Sequence, residues 1–396
     1  MKKQFAAISL LAGTAIGSGM ISLPIVLANF GVIGSSLLIA FFSYVAYVSA
    51  MIRCELNINS KADFNLREVG LFFEGRVSAA VGDLSLKILS FALLCAFTFG
   101  AASILRSFLG LEQDSFNCVV VVFTGAILLM FLFLSDFIIK VNKHAFTILF
   151  FGIVIGVIGL AICSKTESIP MAAEGFCHYK SWSAVFPIVF TSFGFHNALH
   201  SMTKFVNNDR KLIKRACLFG SLVPAFVYGI WTACILIVIF NSDPASFNRM
   251  LISPIDVSEL IEILSAITKV GFIQHAVWSI SFLAILTSIF GSGLALNEII
   301  AKDVERFVKN RKLVHVISTL ITTIPSAFIV TLIPNAFIRV LNFAGIIAVI
   351  IVILLPVFLY VKMRKMLTGA NIFSLLAMLV IGFAIIAFGI SDIVMR

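Results

Sequence analysis

The chain has 396 residues, 60% of them apolar and only 12% charged, with a mean hydropathy of +1.10; this excludes a water-soluble globular domain. A formal charge of +10 suits a nucleic-acid binder, but its distribution along the chain excludes that partner and makes it a membrane-topology signal. Forty phenylalanines fit a surface that faces lipid.

Apolar runs of about 20 residues, the length that crosses a bilayer as a helix, predict eleven spans in one integral domain. They lie near 5–30, 33–53, 84–109, 117–136, 144–163, 183–206, 213–240, 271–300, 313–333, 335–360 and 371–393. The first follows Lys2 and Lys3; it is too long for a signal peptide and a second span follows at once, so it is read as retained. Within it stands Gly13-Thr14-Ala15-Ile16-Gly17-Ser18-Gly19-Met20-Ile21-Ser22-Leu23-Pro24. Each of Gly13, Gly17 and Gly19 costs about 0.8–1 kcal/mol of helix propensity relative to alanine, which predicts unwinding at membrane depth. Unwound backbone is tolerated there only where it is buried in protein or lines a cavity. The same small residues also permit close helix packing, the alternative reading.

After the second span, Asn65-Leu66-Arg67-Glu68 predicts a helix start, with Val69, Phe72 and Phe73 on one face. The sixth span places Thr191-Ser192-Phe193-Gly194-Phe195-His196-Asn197 at mid-membrane and predicts a second interruption. Between the seventh and eighth, Val257, Leu260, Ile261, Leu264 and Ile267 form an apolar stripe opposite Ser258, Glu259 and Glu262, an amphipathic helix that can act as an outer lid. The eighth carries Thr287-Ser288 and Gly291-Ser292-Gly293. Seven cysteines are scattered without a metal-type spacing; Cys163 and Cys177 flank one loop and are the candidate pair.

With the N-terminus inside, 22 of the 29 Lys and Arg residues fall on inner segments and seven on outer ones. The inner set includes Arg53, taken as the start of a loop. An odd number of spans then puts the C-terminus outside. Spans one and six occupy matching places in two five-helix halves, 5–163 and 183–360, the second inverted, with 371–393 as an appendage. Matching interruptions in inverted halves point to a transporter with its site at the breaks.

A broken helix offers free N–H groups at the start of its outer half, suited to a carboxylate, and free carbonyls at the end of its inner half, suited to a cation. In span one these belong to Ala15, Ile16, Gly17, Ser18 and Gly19, and together they match the head of an amino acid. Charge within the spans is sparse: Asp136, Glu298, Lys87, Arg106 and Arg339 fall near ends and can reach water. His196 is the titratable group beside a break, with His200 a turn further in. Paired hydroxyls at Thr287 and Ser288 either complete a sodium site or bond back to their own helix. No nucleophile–base pair, metal cluster or carboxylate pair occurs at one depth, so an enzyme is not expected and no cofactor is implied.

The motif Gly13–Met20 running to Leu23-Pro24 resembles the first helix of the aromatic amino acid permeases, the bacterial tyrosine- and tryptophan-specific carriers. Phe193-Gly194-Phe195-His196-Asn197 resembles their sixth-helix motif, and Thr287-Ser288-Ile289-Phe290-Gly291 is similar to their eighth-helix segment. The resemblance covers essentially the whole chain. It implies a LeuT-type five-plus-five inverted repeat, residence in a bacterial cytoplasmic membrane, and proton-driven uptake of tyrosine or tryptophan. One departure is Ala198-Leu199-His200-Ser201, where the family usually has a proline; its loss is expected to straighten the inner half of the sixth helix. The expected contacts are the carboxylate at Gly17, Ser18 and Gly19, the ammonium at carbonyls near Ala15, Ile16 and Thr191, and the ring against Phe97, Phe193 and Phe195. Ser192, Gly194 and Asn197 complete the site, and His196 either carries the proton or bonds a phenol or indole. The alternatives are a sodium-coupled carrier of smaller neutral amino acids using Thr287 and Ser288, and a transporter-like receptor without flux. Lipid and a small molecule are the expected partners; no motif speaks to oligomeric state.

Overall fold

The structure, a computed structural model, describes residues 2–17, 19–59, 66–163, 167–171, 175, 179–252, 255–268, 271–333, 336–363 and 369–395. Within these helices, the side chains of 2, 66–67, 135–146, 163, 179–180, 197, 200–201, 271–274, 336 and 369–371 lie outside the description. The described residues are helical throughout, apart from turns and short connections.

The first apolar run forms two helices, α1 (Lys2–Ala15) and α2 (Gly19–Leu27), as its glycines predict. A 3-10 turn at Ala28–Phe30 leads to Gly31, whose φ of 60° is in the left-handed region open to glycine, and so into α3 (Gly31–Asn59). The predicted inner amphipathic helix is α4 (Leu66–Phe73), followed by α5 (Arg76–Phe108), α6 (Phe116–Phe133) and α7 (Ser135–Cys163). The sixth run is also broken, into α8 (Tyr179–Ser192), a 3-10 turn at Phe195–Ala198 and α9 (Leu199–Phe205). The interruption is therefore kept without the proline: the 3-10 turn extends over Ala198 and α9 starts at Leu199.

Asn207 and Asn208 take left-handed backbone, with φ of 54° and 57°, a conformation asparagine tolerates best among non-glycine residues. Asp209 then caps α10 (Arg210–Ser242), its Oδ1 accepting from the amides of Lys211 at 2.8 Å and Leu212 at 3.2 Å. Next come α11 (Pro244–Ile252), α12 (Val257–Thr268), α13 (Gly271–Val304) and α14 (Arg311–Leu332). Asp243 receives the Ser246 amide at 3.1 Å, and the Ser246 hydroxyl and amide hold its carboxyl below the ordinary value. The tenth run is α15 (Ala336–Val349), a π turn at Ile350–Leu354 and α16 (Leu355–Met363). Pro356 accounts for the π turn, because proline lacks an N–H and its ring would clash with the carbonyl of Val352 in a regular helix. The last helix is α17 (Gly369–Met395).

Among the described residues, eight helical segments are long and apolar enough to cross a membrane, so this is a multi-pass membrane protein. The core forms around α5, whose most apolar window is 78% buried and which packs on α13, α14 and α15. On the other side α10 holds α1, α2 and α3, while α8 lies against α2, α15 and α17. The two broken helices are thus both gripped by α10 or its immediate neighbours.

Two expectations are corrected here. Arg53 does not begin a loop: α3 continues to Asn59, and Arg53 is buried within it. Ser258 does not sit on the polar face of α12; it is buried and meets Ser103 Oγ at 3.3 Å. Lys87, partly exposed, is bound by Asp83 at 2.7 Å and by Asp303, tying α5 to the end of α13. The Cys163–Cys177 pairing lies outside the described side chains.

Candidate functional site

At the first break, the amide of Ile16 closes α1 onto Ala12 O at 2.9 Å, and the amide of Met20 bonds Gly17 O at 3.1 Å. Ser18 lies outside the described residues. At the second, the amide of Phe193 reaches Phe190 O at 3.2 Å and that of Phe195 reaches Phe193 O at 2.9 Å, leaving exposed Gly194 at the bend. Thr191 and Ser192 direct their hydroxyls back to Pro187 O at 2.7 Å and Ile188 O at 2.8 Å, which loosens a helix near its end.

The two breaks meet at Tyr228 of α10. Its hydroxyl lies 2.6 Å from Ala15 O, at the end of α1, and 2.8 Å from Ser192 O, at the end of α8. A phenol has one proton to donate, so two carbonyls share it. Such closeness demands glycine. A Cβ on Gly19 would come within 2.7 Å of Ser192 Cβ and 2.8 Å of the Tyr228 oxygen, and one on Gly17 within 2.5 Å of Ser288 Oγ. The glycines that unwind the helix therefore also let its ends approach α8, α10 and α13.

The aromatic residues of the second break are fully buried. Phe193 meets the Tyr228 ring edge-on at 5.6 Å, and Phe195 stacks on His196 at 4.8 Å. Phe97 is buried on α5; among the described residues no ring pair joins it to Phe193 or Phe195. His196 is half-buried, with Nε2 at 2.8 Å from Ser49 Oγ. Ser49 in turn donates to Ala46 O at 3.0 Å. Thr287 and Ser288 both bond back to Ala284 O at 2.9 Å. Ser288 lies beside Gly17, so the structure brings one of this pair to the first break.

Near the far end of α5, α12 covers a cavity of about 430 Å³ lined by Arg106, Asp256, Ser258, Glu259 and Glu262, among others. Ser103 Oγ donates to Asp256 Oδ2 at 2.8 Å, and Ser107 to Glu262. These bonds fasten α12 to α5.

Two features escaped the sequence reading. Tyr228 sits mid-run in the seventh span, where a phenol must find a partner; that signal is present in the chain but does not say which carbonyls it meets. Ser49, Arg53 and Asn57 are spaced four apart and share one buried face of α3. That spacing was hidden by ending the second span at residue 53.

Comparison with known proteins fits this arrangement. The chain is 26% identical to the tyrosine-specific transport system 1 of Haemophilus influenzae, over 92% of this chain and 89% of that one. It is 27% identical to glutamine transporter 2 of Aliivibrio fischeri, over 92% and 90%. Its fold is similar to that of a manganese transporter of Eremococcus coleocola solved with an aromatic bis-isothiourea compound, with a TM-score of 0.57 over 98% of this chain and 85% of that one, at 14% identity. The model of the tryptophan/tyrosine permease family matches residues 1–396, and this chain belongs to that family, whose members are transport proteins and not enzymes.

Proposed function

We propose that the protein imports aromatic amino acids, tyrosine or tryptophan, across a bacterial cytoplasmic membrane by proton symport and alternating access. The observation that carries this reading is the Tyr228 hydroxyl set between the final carbonyls of two broken helices. It makes the two breaks one site, as expected where broken helices of two halves bind a substrate between them. The family match supports the substrate class.

In this reading eleven spans form two inverted halves, 5–163 and 183–360, with 371–393 outside the repeat, the N-terminus inside and the C-terminus outside. The substrate carboxylate takes the N–H groups at Gly17, Ser18 and Gly19, where the positive end of α2 favours an anion. The ammonium takes carbonyls at Ala15, Ile16 and Thr191, sharing Ala15 O with Tyr228. The ring lies against Phe97, Phe193 and Phe195, with Ser192, Gly194 and Asn197 around the bend. His196 carries the coupled proton or bonds the phenol or indole of the substrate; it lies beside the second break with Ser49 Oγ at 2.8 Å from Nε2. Sodium held by Thr287 and Ser288 is the less favoured coupling ion in this reading. α12 is the outer lid.

Counterflow in proteoliposomes tests the substrate. Labelled tyrosine should exchange, and unlabelled tyrosine and tryptophan should compete far better than glutamine. Glutamine competing as well as either would overturn the aromatic assignment.

A further inference from the structure

From the second break a file of polar side chains runs along α3 toward the end that the charge distribution places inside. His196 abuts Ser49 at 2.8 Å, and Ser49, Arg53 and Asn57 follow at helical spacing, 0%, 8% and 3% exposed. The face also borders α9 and α10. Arg53 Nη1 is wholly buried and has no hydrogen-bond partner among the described residues. A guanidinium stays charged, and a buried charge with an unpartnered donor is costly in a membrane segment unless function retains it. The carboxylates of the described ion pairs serve other cations: Asp83 and Asp303 serve Lys87, Glu259 serves Arg249, and Glu74 serves Lys362.

We propose that Arg53 is an inner receptor for the substrate carboxylate, engaged as the amino acid leaves the breaks for the cytoplasm. This rests on the amino-acid transport reading above. A carboxylate leaving the N-terminal end of α2 must pass the carbonyl ends of α1, which repel an anion. A cation about one helical turn, roughly 6 Å along α3, beyond Ser49 offsets that repulsion. The planar fork of arginine matches a carboxylate through two parallel hydrogen bonds, a geometry that a spherical inorganic anion does not use.

The test is sidedness of affinity in proteoliposomes holding the full-length protein. KM for labelled tyrosine is measured at the outer face by uptake and at the inner face by efflux, for wild type, Arg53→Gln and Arg53→Lys. Arg53→Gln should raise the inner KM about tenfold or more, the effect of losing a charge-assisted hydrogen bond, while the outer KM stays within about twofold. Arg53→Lys, which keeps the charge without the fork, should raise it less and carries the test if Arg53→Gln does not accumulate. Equal changes at both faces, or none at either, would overturn the proposal. So would wild-type efflux that requires chloride and loses that requirement in Arg53→Gln, which assigns an inorganic anion. If wild type carries glutamine and not aromatic amino acids, the substrate reading fails, and the same sidedness read with glutamine still decides the role of Arg53.

Discussion

Tyr228 carries the most structural weight of any single side chain at the site, because one hydroxyl satisfies backbone groups at two helix ends. Tyr228→Phe keeps the ring against Phe193 and removes only that oxygen. It should cost about 1–3 kcal/mol of stability and lower the maximal uptake rate at least tenfold, as read by thermal unfolding and transport on the same preparation. Wild-type uptake in the variant would mean that the two breaks need no link. Glycine makes a second contrast at this scale. A Cβ at Gly19 collides with Ser192 and Tyr228, whereas one at Gly291 meets open space. Gly19→Ala should therefore abolish uptake and Gly291→Ala should leave it near wild type; equal effects would contradict the packing account. For His196, replacement by glutamine should flatten the pH dependence of uptake, since glutamine keeps hydrogen bonding to Ser49 but carries no proton. Unchanged pH dependence would remove the histidine from the coupling step.

Both interruptions were legible at the scale of the helix, because glycine placed within an apolar run has a local energetic cost that no neighbour is needed to reveal. The amphipathic helices α4 and α12 were legible for the same reason, through spacing alone. Less was legible where partners decide. Nothing local says that Arg53 stays inside α3, since a charge near the end of an apolar run reads equally as a loop. Ser258 looked like a solvent-facing residue until Ser103 and Asp256 came within reach of it. Those contacts give α12 its proposed function as a lid. Cysteines placed at Ser107 and Glu262, which meet across α5 and α12, and joined by a short reducible cross-linker should stop uptake, with reductant restoring it. Undiminished uptake by the cross-linked protein would show that α12 does not move during transport.

At the scale of the molecule, the proposed orientation rests on the uneven spread of Lys and Arg, and the proposed site on the pairing of two breaks. Gln113 and Lys211 are both exposed, beyond the ends of α5 and at the start of α10. In a background with Cys118 replaced by serine, Gln113→Cys should react with an impermeant maleimide in intact cells and Lys211→Cys only after permeabilisation. The reverse pattern would invert the topology and with it the assignment of Arg53 to the inner path. The central claim is that this pair of breaks moves aromatic amino acids with protons. Its most direct test is accumulation of labelled tyrosine and tryptophan in tight proteoliposomes under an inward proton gradient or an inward sodium gradient, each imposed alone. The account predicts accumulation with protons and none with sodium; accumulation that needs sodium, or no accumulation of either amino acid under either gradient, would contradict it.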